Sequence, residues 1–582
     1  MAIKHLKSMV LAFALSAGAG TADLVQAQQV AGSYLAARQA GYQHDFEAAA
    51  RYFAMALTRD PSNPALMENA TLAYLSLGDL DRAALIGAQM EAAGLTSQIA
   101  QMAVVAHEAQ GGEYAAIVDR LAADKGVGPL VDGLLKGWAL MGQGAVAEAL
   151  EAFDAVAEER GLEAFAGYHK ALALASVGDF EGAANIFAGD SAGPLQMTRR
   201  GVMAQLEILS QLDRQDDALA MLEELFAGDL DPGLTAMQAA LQAGDRLPFT
   251  HVQGPKDGIA ELFYSVAAAL SNEANDDYTL LYSRIATYLR PDHVDAILLS
   301  ASLLDDMQRY DLAVATYKLV PPGDPAFHAA EMGRAEALRR TDRIEAAAEV
   351  LDQLTRSHGD LPIVHTSLGD LRRQQKDFAG AVKAYDAALA LYDAGAQAEW
   401  FIYYARAISY ERLDKWDAAE ADFRKALELS PDQPQVLNYL GYSLVEKGAK
   451  LDEALEMIER AVAVQPRSGY IIDSLGWALY RLGRYDEAVV HMERAAELMP
   501  VDPVVNDHLG DSLWAVGREM EARFQWRRAL SFANDENASG EVDIERLRAK
   551  LDVGLDVVLA AEGAAPLKGD DQVADKASDD SN

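Results

Sequence analysis

The side chains that could do chemistry fall into two groups, and the first fails on spacing. There is no cysteine among the 582 residues, which excludes thiol catalysis, disulfides, thiolate metal sites and the lipid-bearing cysteine of a lipobox. The eleven histidines are scattered. His107-Glu108 has no second histidine at zinc-site spacing. His491 and His508 fall on neighbouring predicted helices and read as packing or solvated groups. Gly441-Tyr442-Ser443 lacks the second half of a nucleophile elbow. Neither catalysis, a metal nor a cofactor is expected. The second group is the tyrosines, tryptophans and carboxylates that recur through the C-terminal half. Such aromatics supply rigid contact area with polar tips and are enriched where one protein grips another. That chemistry is binding.

The elements that must hold these side chains are repeats. Leu440-Gly441, Leu475-Gly476 and Leu509-Gly510 align, as do Ala454, Ala488 and Ala522, then Ala461, Ala495 and Ala529, then Pro466 and Pro500. Gly or Ala at a helix crossing lets two backbones approach, and a larger residue on the second helix fills the neighbouring gap. One such unit cannot bury its apolar face alone, so the units must stack. Alanine and leucine dominate and period-two Val/Ile/Thr runs are scarce, which favours helix throughout. The spacing of about 34 residues resembles the tetratricopeptide repeat (TPR), a helix–turn–helix unit. The expected fold is an all-α TPR solenoid, a right-handed superhelix in two segments.

Residues 1–27 read as a signal peptide, with Lys4 and Lys7 before an apolar stretch from Met9 to Ala19 and Val25-Gln26-Ala27 before the cut. Residues 28–228 form a looser array, with Phe46, Ala49, Phe53 and Ala56 in one unit and Phe180, Ala183 and Phe187 in another. An irregular junction is expected over 229–258, around Asp231-Pro232-Gly233 and Leu247–Gly254, and a regular array over 259–535. Ile544, Leu547, Leu551 and Leu555 form the stripe of a capping helix within 536–561, with Arg546, Arg548 and Lys550 facing away from it. Residues 562–582 read as a disordered acidic tail.

The net charge is −39, and −40 once Lys4, Lys7 and Asp23 leave with residues 1–27. Nucleic acid would need a basic face, so it is not an expected partner. No stretch beyond the signal segment is long and apolar enough for a membrane span. The expected compartment is the periplasm. The expected partners are neutral or basic proteins or peptide segments, and the oligomeric state stays open.

The run Leu437-Asn438-Tyr439-Leu440-Gly441-Tyr442, then Asp473-Ser474-Leu475-Gly476-Trp477, then Asp507-His508-Leu509-Gly510-Asp511 with Trp514 and Trp526, is similar to long envelope TPR proteins of Gram-negative bacteria. One such group is the lipoproteins that act as adaptors for a periplasmic carboxyl-terminal processing protease. The resemblance implies a scaffold that presents a client to a partner. The alternative it leaves is a structural factor in cell-envelope or outer-membrane assembly. In resembling proteins the first helix of each repeat lines a concave groove. Carried onto this chain, the groove positions are Phe401, Tyr404, Glu411, Asn438, Tyr442, Tyr470, Asp473, Trp477, Tyr480, Asp507, Asp511 and Trp514. The other reading of these residues is packing between repeats. The Lys/Asn clamp with which some TPR grooves hold a C-terminal carboxylate is missing.

Overall fold

The computed structural model describes residues 32–189, 197–226, 230–271, 275–392, 400–533, 542–564 and 567. The expected signal peptide 1–27 lies outside them, as does the acidic tail apart from 562–564 and 567. Among the described residues all regular structure is helical, in antiparallel pairs. First helices often start at proline behind a capping side chain: Asn63 accepts from Leu66 N ahead of Pro64, and Asp502 from Val505 N ahead of Pro503. Second helices open on Asp45, Asp79, Asp179 and Asp377, each accepting from the backbone N–H three residues on.

Between the two helices of a pair, one residue turns left-handed. These residues are His44, Gly78, Gly112, Gly144, Gly178, Asp213, Gln308, Asp342, Lys376, Asp414, Gly448, Gly483 and Gly517, most of them about one repeat length after the last. Glycine takes that conformation at no steric cost, and other residues at roughly 1–2 kcal/mol. Up to Asp213 the N-terminal half keeps this spacing about as closely as the C-terminal half does. Its apolar residues vary in size, but its turns do not vary in geometry.

The chain forms two compact units, Met1–Arg356 and Ser357–Asn582. In the first, the helices Gln98–Gly111, Pro129–Gly142 and Glu163–Ser176 all meet the helix Pro255–Leu270, and Pro64–Leu77 and Gln98–Gly111 meet its neighbour Asp276–Leu289. Four successive first helices can grip one hairpin only if the stack curves around it. The sequence of the gripped helix explains its place. Ile259, Ala260, Leu262, Phe263 and Ala267 are all fully buried, and a helix that is apolar nearly all round belongs inside. Gly258 is where it comes closest: a Cβ there would stand 2.3 Å from the Trp138 ring.

Three expectations are corrected here. The segment 229–258 is not a break between units: it holds a helix, Pro232–Gln242, capped by Asp231, and lies wholly inside the first unit. The compact division falls instead between Arg356 and Ser357. The helices expected to open the C-terminal array at 259 fill the concave side of the N-terminal one, because their apolar surface is too broad for a single stacking face.

The second unit stacks five pairs, from Pro362–Gln374 with Phe378–Ala390 to Pro503–Ala515 with Glu519–Phe532. The small-against-large packing read from the repeats is present. A Cβ on Gly369 would meet Tyr385 at 2.5 Å, and one on Gly510 would meet Trp526 at 2.4 Å. The cap is two helices, Ile544–Val553 and Leu555–Ala561, broken at Gly554. Residues 536–541 of the expected capping helix lie outside the described residues. Lys550 does not face away: it is fully buried, since two carboxylates of the last repeat draw it in.

Candidate protein-binding face

The groove positions separate into those used for packing and those left open. Asp473 holds His508 of the next repeat, Oδ2 to Nδ1 at 2.9 Å. The His508 ring stacks on Trp477 with centroids 4.0 Å apart, and Trp477 stacks on Tyr480 at 4.8 Å. Burial opposes a charge on His508, but the Asp473 carboxylate outweighs it and raises the imidazole above its ordinary value. Tyr480 is buried, and that burial pushes its phenol up.

One repeat on, the cap helix takes the place of a further repeat. Lys550 donates to Asp507 at 2.7 Å and to Asp511 at 2.8 Å, and its ammonium lies 5.8 Å from the centre of the Trp526 ring. Trp526 Nε1 donates to Asp511, and Trp514 Nε1 to Asp556 of the cap. Burial first, then Asp511, pushes the Asp507 carboxyl up. The groove-position carboxylates Asp507 and Asp511 are therefore met by the chain's own lysine. Trp514 is covered by the chain's own second cap helix.

Asn438, Asp473, Tyr480, Asp511 and Trp514 are buried, and half-buried Asp507 is paired with Lys550, so these six are taken up inside the stack and its cap. Phe401, Tyr404, Tyr442 and Trp477 are half-buried, and Tyr470 is 45% exposed. The Tyr404 ring packs edge-on to Tyr439 with centroids 6.0 Å apart, and burial pushes the Tyr404 and Tyr442 phenols up. Trp477 Nε1 donates to Glu446, fixing the indole. Glu411 accepts from the Tyr439 hydroxyl at 3.5 Å. The open part of the face is thus five aromatics on three consecutive first helices. It can grip an apolar or aromatic segment and hydrogen-bond along its edge.

One polar cluster was missed. In the first unit Glu261 accepts from Arg200 at 2.6 Å and from Tyr168 at 2.8 Å, and lies 3.1 Å from His293 Nε2. Arg200 also donates to Asp295 at 2.9 Å. Burial opposes ionisation of Glu261, but Arg200 outweighs it and holds the carboxyl well below the usual range. Burial pushes His169 down to about 4. The cluster borders a cavity of about 770 Å³ lined by Arg199, Arg200, Glu207, His251, Arg290 and Asp295. Its members come from elements far apart in the chain, so no local spacing marks them. Every charge in it is paired, and it ties the central helix to its surroundings. Among the described residues no group of three or more His, Asp or Glu is arranged to hold a metal ion, and no helix is long and apolar enough to cross a membrane.

Two tetratricopeptide repeat family models match the chain, one over 400–433 and 471–500, the other over 34–94 and 332–398. The repeats are tetratricopeptide repeats. Outside those stretches the same turn spacing and pair packing continue. Tetratricopeptide repeats imply a protein-interaction scaffold. Among curated proteins it is similar to the TPR repeat-containing protein PA4667 of Pseudomonas aeruginosa, 28% identical over 177 residues. That match covers 30% of this chain and spans 28% of the relative's length. Among solved structures, the hetero-tetramer Cut9–Hcn1 of the APC/C is 14% identical over 88% of this chain and 95% of that one, with a TM-score of 0.36. A tetratricopeptide repeat protein from Parabacteroides merdae is 15% identical over 44% of this chain and 97% of that one, also at 0.36.

Proposed function

We propose that this protein is a periplasmic adaptor that holds client proteins on the open aromatic face of its second unit and presents them to a partner, such as a processing protease. One observation carries the choice of face. The concave side of the first unit is filled by the helices Pro255–Leu270 and Asp276–Leu289, whereas Phe401, Tyr404, Tyr442 and Trp477 are only half-buried and Tyr470 is exposed. Tyr470 carries the most, because it is the most exposed of the five at 45%. The signal-like segment 1–27 supports export.

The test is crosslinking and pull-down from the periplasm with the wild-type chain, followed by affinity measurement on Tyr470→Ala and Trp477→Ala. Loss of a hot-spot aromatic costs about 2 kcal/mol or more, roughly a thirtyfold loss of affinity. Unchanged affinity in both folded variants rejects this face. Addition of the chain should speed cleavage of a captured client by a captured protease. Co-purification with an envelope assembly, without any such stimulation, favours a structural role instead. Recovery only from the cytoplasm, with Met1 intact, rejects the compartment.

A further inference from the structure

The outward face of the helix Glu519–Phe532 is unlike that of a solvated second helix. Met520 is 87% exposed and Phe524, one turn on, is 56% exposed. Val490 occupies the place equivalent to Phe524 one repeat earlier, on Tyr485–Leu498, and is 64% exposed. Met520, Phe524 and Arg527 stand at i, i+4 and i+7, on one stripe. Glu519 and Arg527 are both exposed and carry no ion pair among the described residues. Taken alone, these four residues run acid, apolar, apolar, base, while Glu521 between them is already paired with Arg518.

We propose that this face pairs with the same face of a second copy of the chain. The argument is self-complementarity. A twofold axis crossing the helix near residue 522 sets Met520 of one copy against Phe524 of the other. The same axis brings Glu519 within two residues of register with Arg527, a step the two long side chains span, and each contact occurs twice, as an isologous interface requires. The two helices run antiparallel, so the acidic first turn of each lies beside the basic third turn of the other. A parallel pairing would set like charge against like at both positions, and a uniformly acidic partner would leave Glu519 unmatched. One helix face with Val490 at its edge is a small contact, below the ~1,200 Å² of stable interfaces. The dimer is therefore weak and depends on concentration.

Sedimentation velocity on the full chain, from about 5 to 200 µM at ~0.15 M salt, reads it out, in the affinity range of small interfaces. The expected result is a weight-average coefficient that rises from monomer towards dimer. Phe524→Asp should raise the dissociation constant at least ~30-fold, since it removes a central aromatic. Glu519→Arg and Arg527→Glu should each weaken association, and the double variant should restore it by exchanging the charges. Both positions are exposed, so circular dichroism should show every variant folded. A wild-type coefficient that does not change with concentration overturns the proposal. So does a Phe524→Asp variant that associates like wild type. A double variant no better than its parents overturns the antiparallel pairing.

Discussion

Replacing Lys550 by methionine should release the C-terminal cap. The lysine is fully buried, with its ammonium between Asp507 and Asp511 and above the Trp526 ring. Methionine keeps much of the stem's volume, so the main loss is electrostatic. Two carboxylates would face each other without their cation, and Asp507 is already pushed up by burial and by Asp511. Breaking a buried ion pair costs about 3–5 kcal/mol, so the lower figure is roughly a hundredfold in the opening equilibrium. A repeat stack opens from its ends, so the loss appears locally rather than in the global transition. Hydrogen exchange over 544–561 is the assay, with Trp514 emission as a second readout, because Asp556 of the cap covers that indole. Asp507 titrates above its ordinary value in the folded chain. The folded chain therefore keeps a proton that the unfolded chain has released, and stability falls as pH rises between those two values. Without Lys550 that window extends upward, so acidification should return part of the lost protection. The triple variant Asp507→Asn, Asp511→Asn, Lys550→Met carries no buried charge at this point and should recover most of it. Native-like protection over 544–561 in Lys550→Met would falsify this account of the cap.

Gly258→Val should destabilise the first unit by about 1–3 kcal/mol or more through overpacking against Trp138, leaving the second unit's unfolding unchanged; a single shared shift in denaturant melts would contradict it. His508 is raised in the folded state, so its pairing with Asp473 stabilises fully below the ordinary imidazole value and fades as pH rises through the folded one. Asp473→Asn should abolish that slope, and an NMR titration of His508 should show its value fall. Removing residues 541–560 should expose the apolar face of the last repeat and cause association seen by light scattering, whereas removing 568–582 should change little; equal behaviour of the two truncations contradicts the cap. Tyr470→Ala should leave the melting temperature unchanged while weakening client binding, and a lowered melting temperature with intact affinity would reassign Tyr470 to packing.

The helical pairs, their period and their small-against-large crossings were legible because they are local. Gly510 and Trp526 belong to the two helices of one pair, and each repeat restates the relation. The turns were legible for the same reason, since a left-handed residue is a demand on one position. The candidate groove was legible as a set of positions but not as a surface. Asp473, Asp507, Asp511 and Trp514 sit at first-helix positions as read, yet whether such a position faces a ligand or the next helix depends on what stacks there. His508 and the cap supply that answer, and neither choice is written in the residue itself.

The sequence by itself determined that this chain is a helical repeat stack without thiol chemistry, because period, residue size and turn conformation act over a few turns of helix. Only the tertiary structure decided what lies in each groove. Pro255–Leu270 reads locally as one more apolar helix, and Lys550 as one more surface lysine. The first is enclosed because three first helices curve around it. The second is enclosed because Asp507 and Asp511, on the first helix of the last repeat, meet it on folding. Burial of this kind is a property of the whole stack, since it depends on where non-adjacent helices arrive. Short-range pattern cannot encode it, and that is why the open aromatics around Tyr470 emerge only once the filled positions are known.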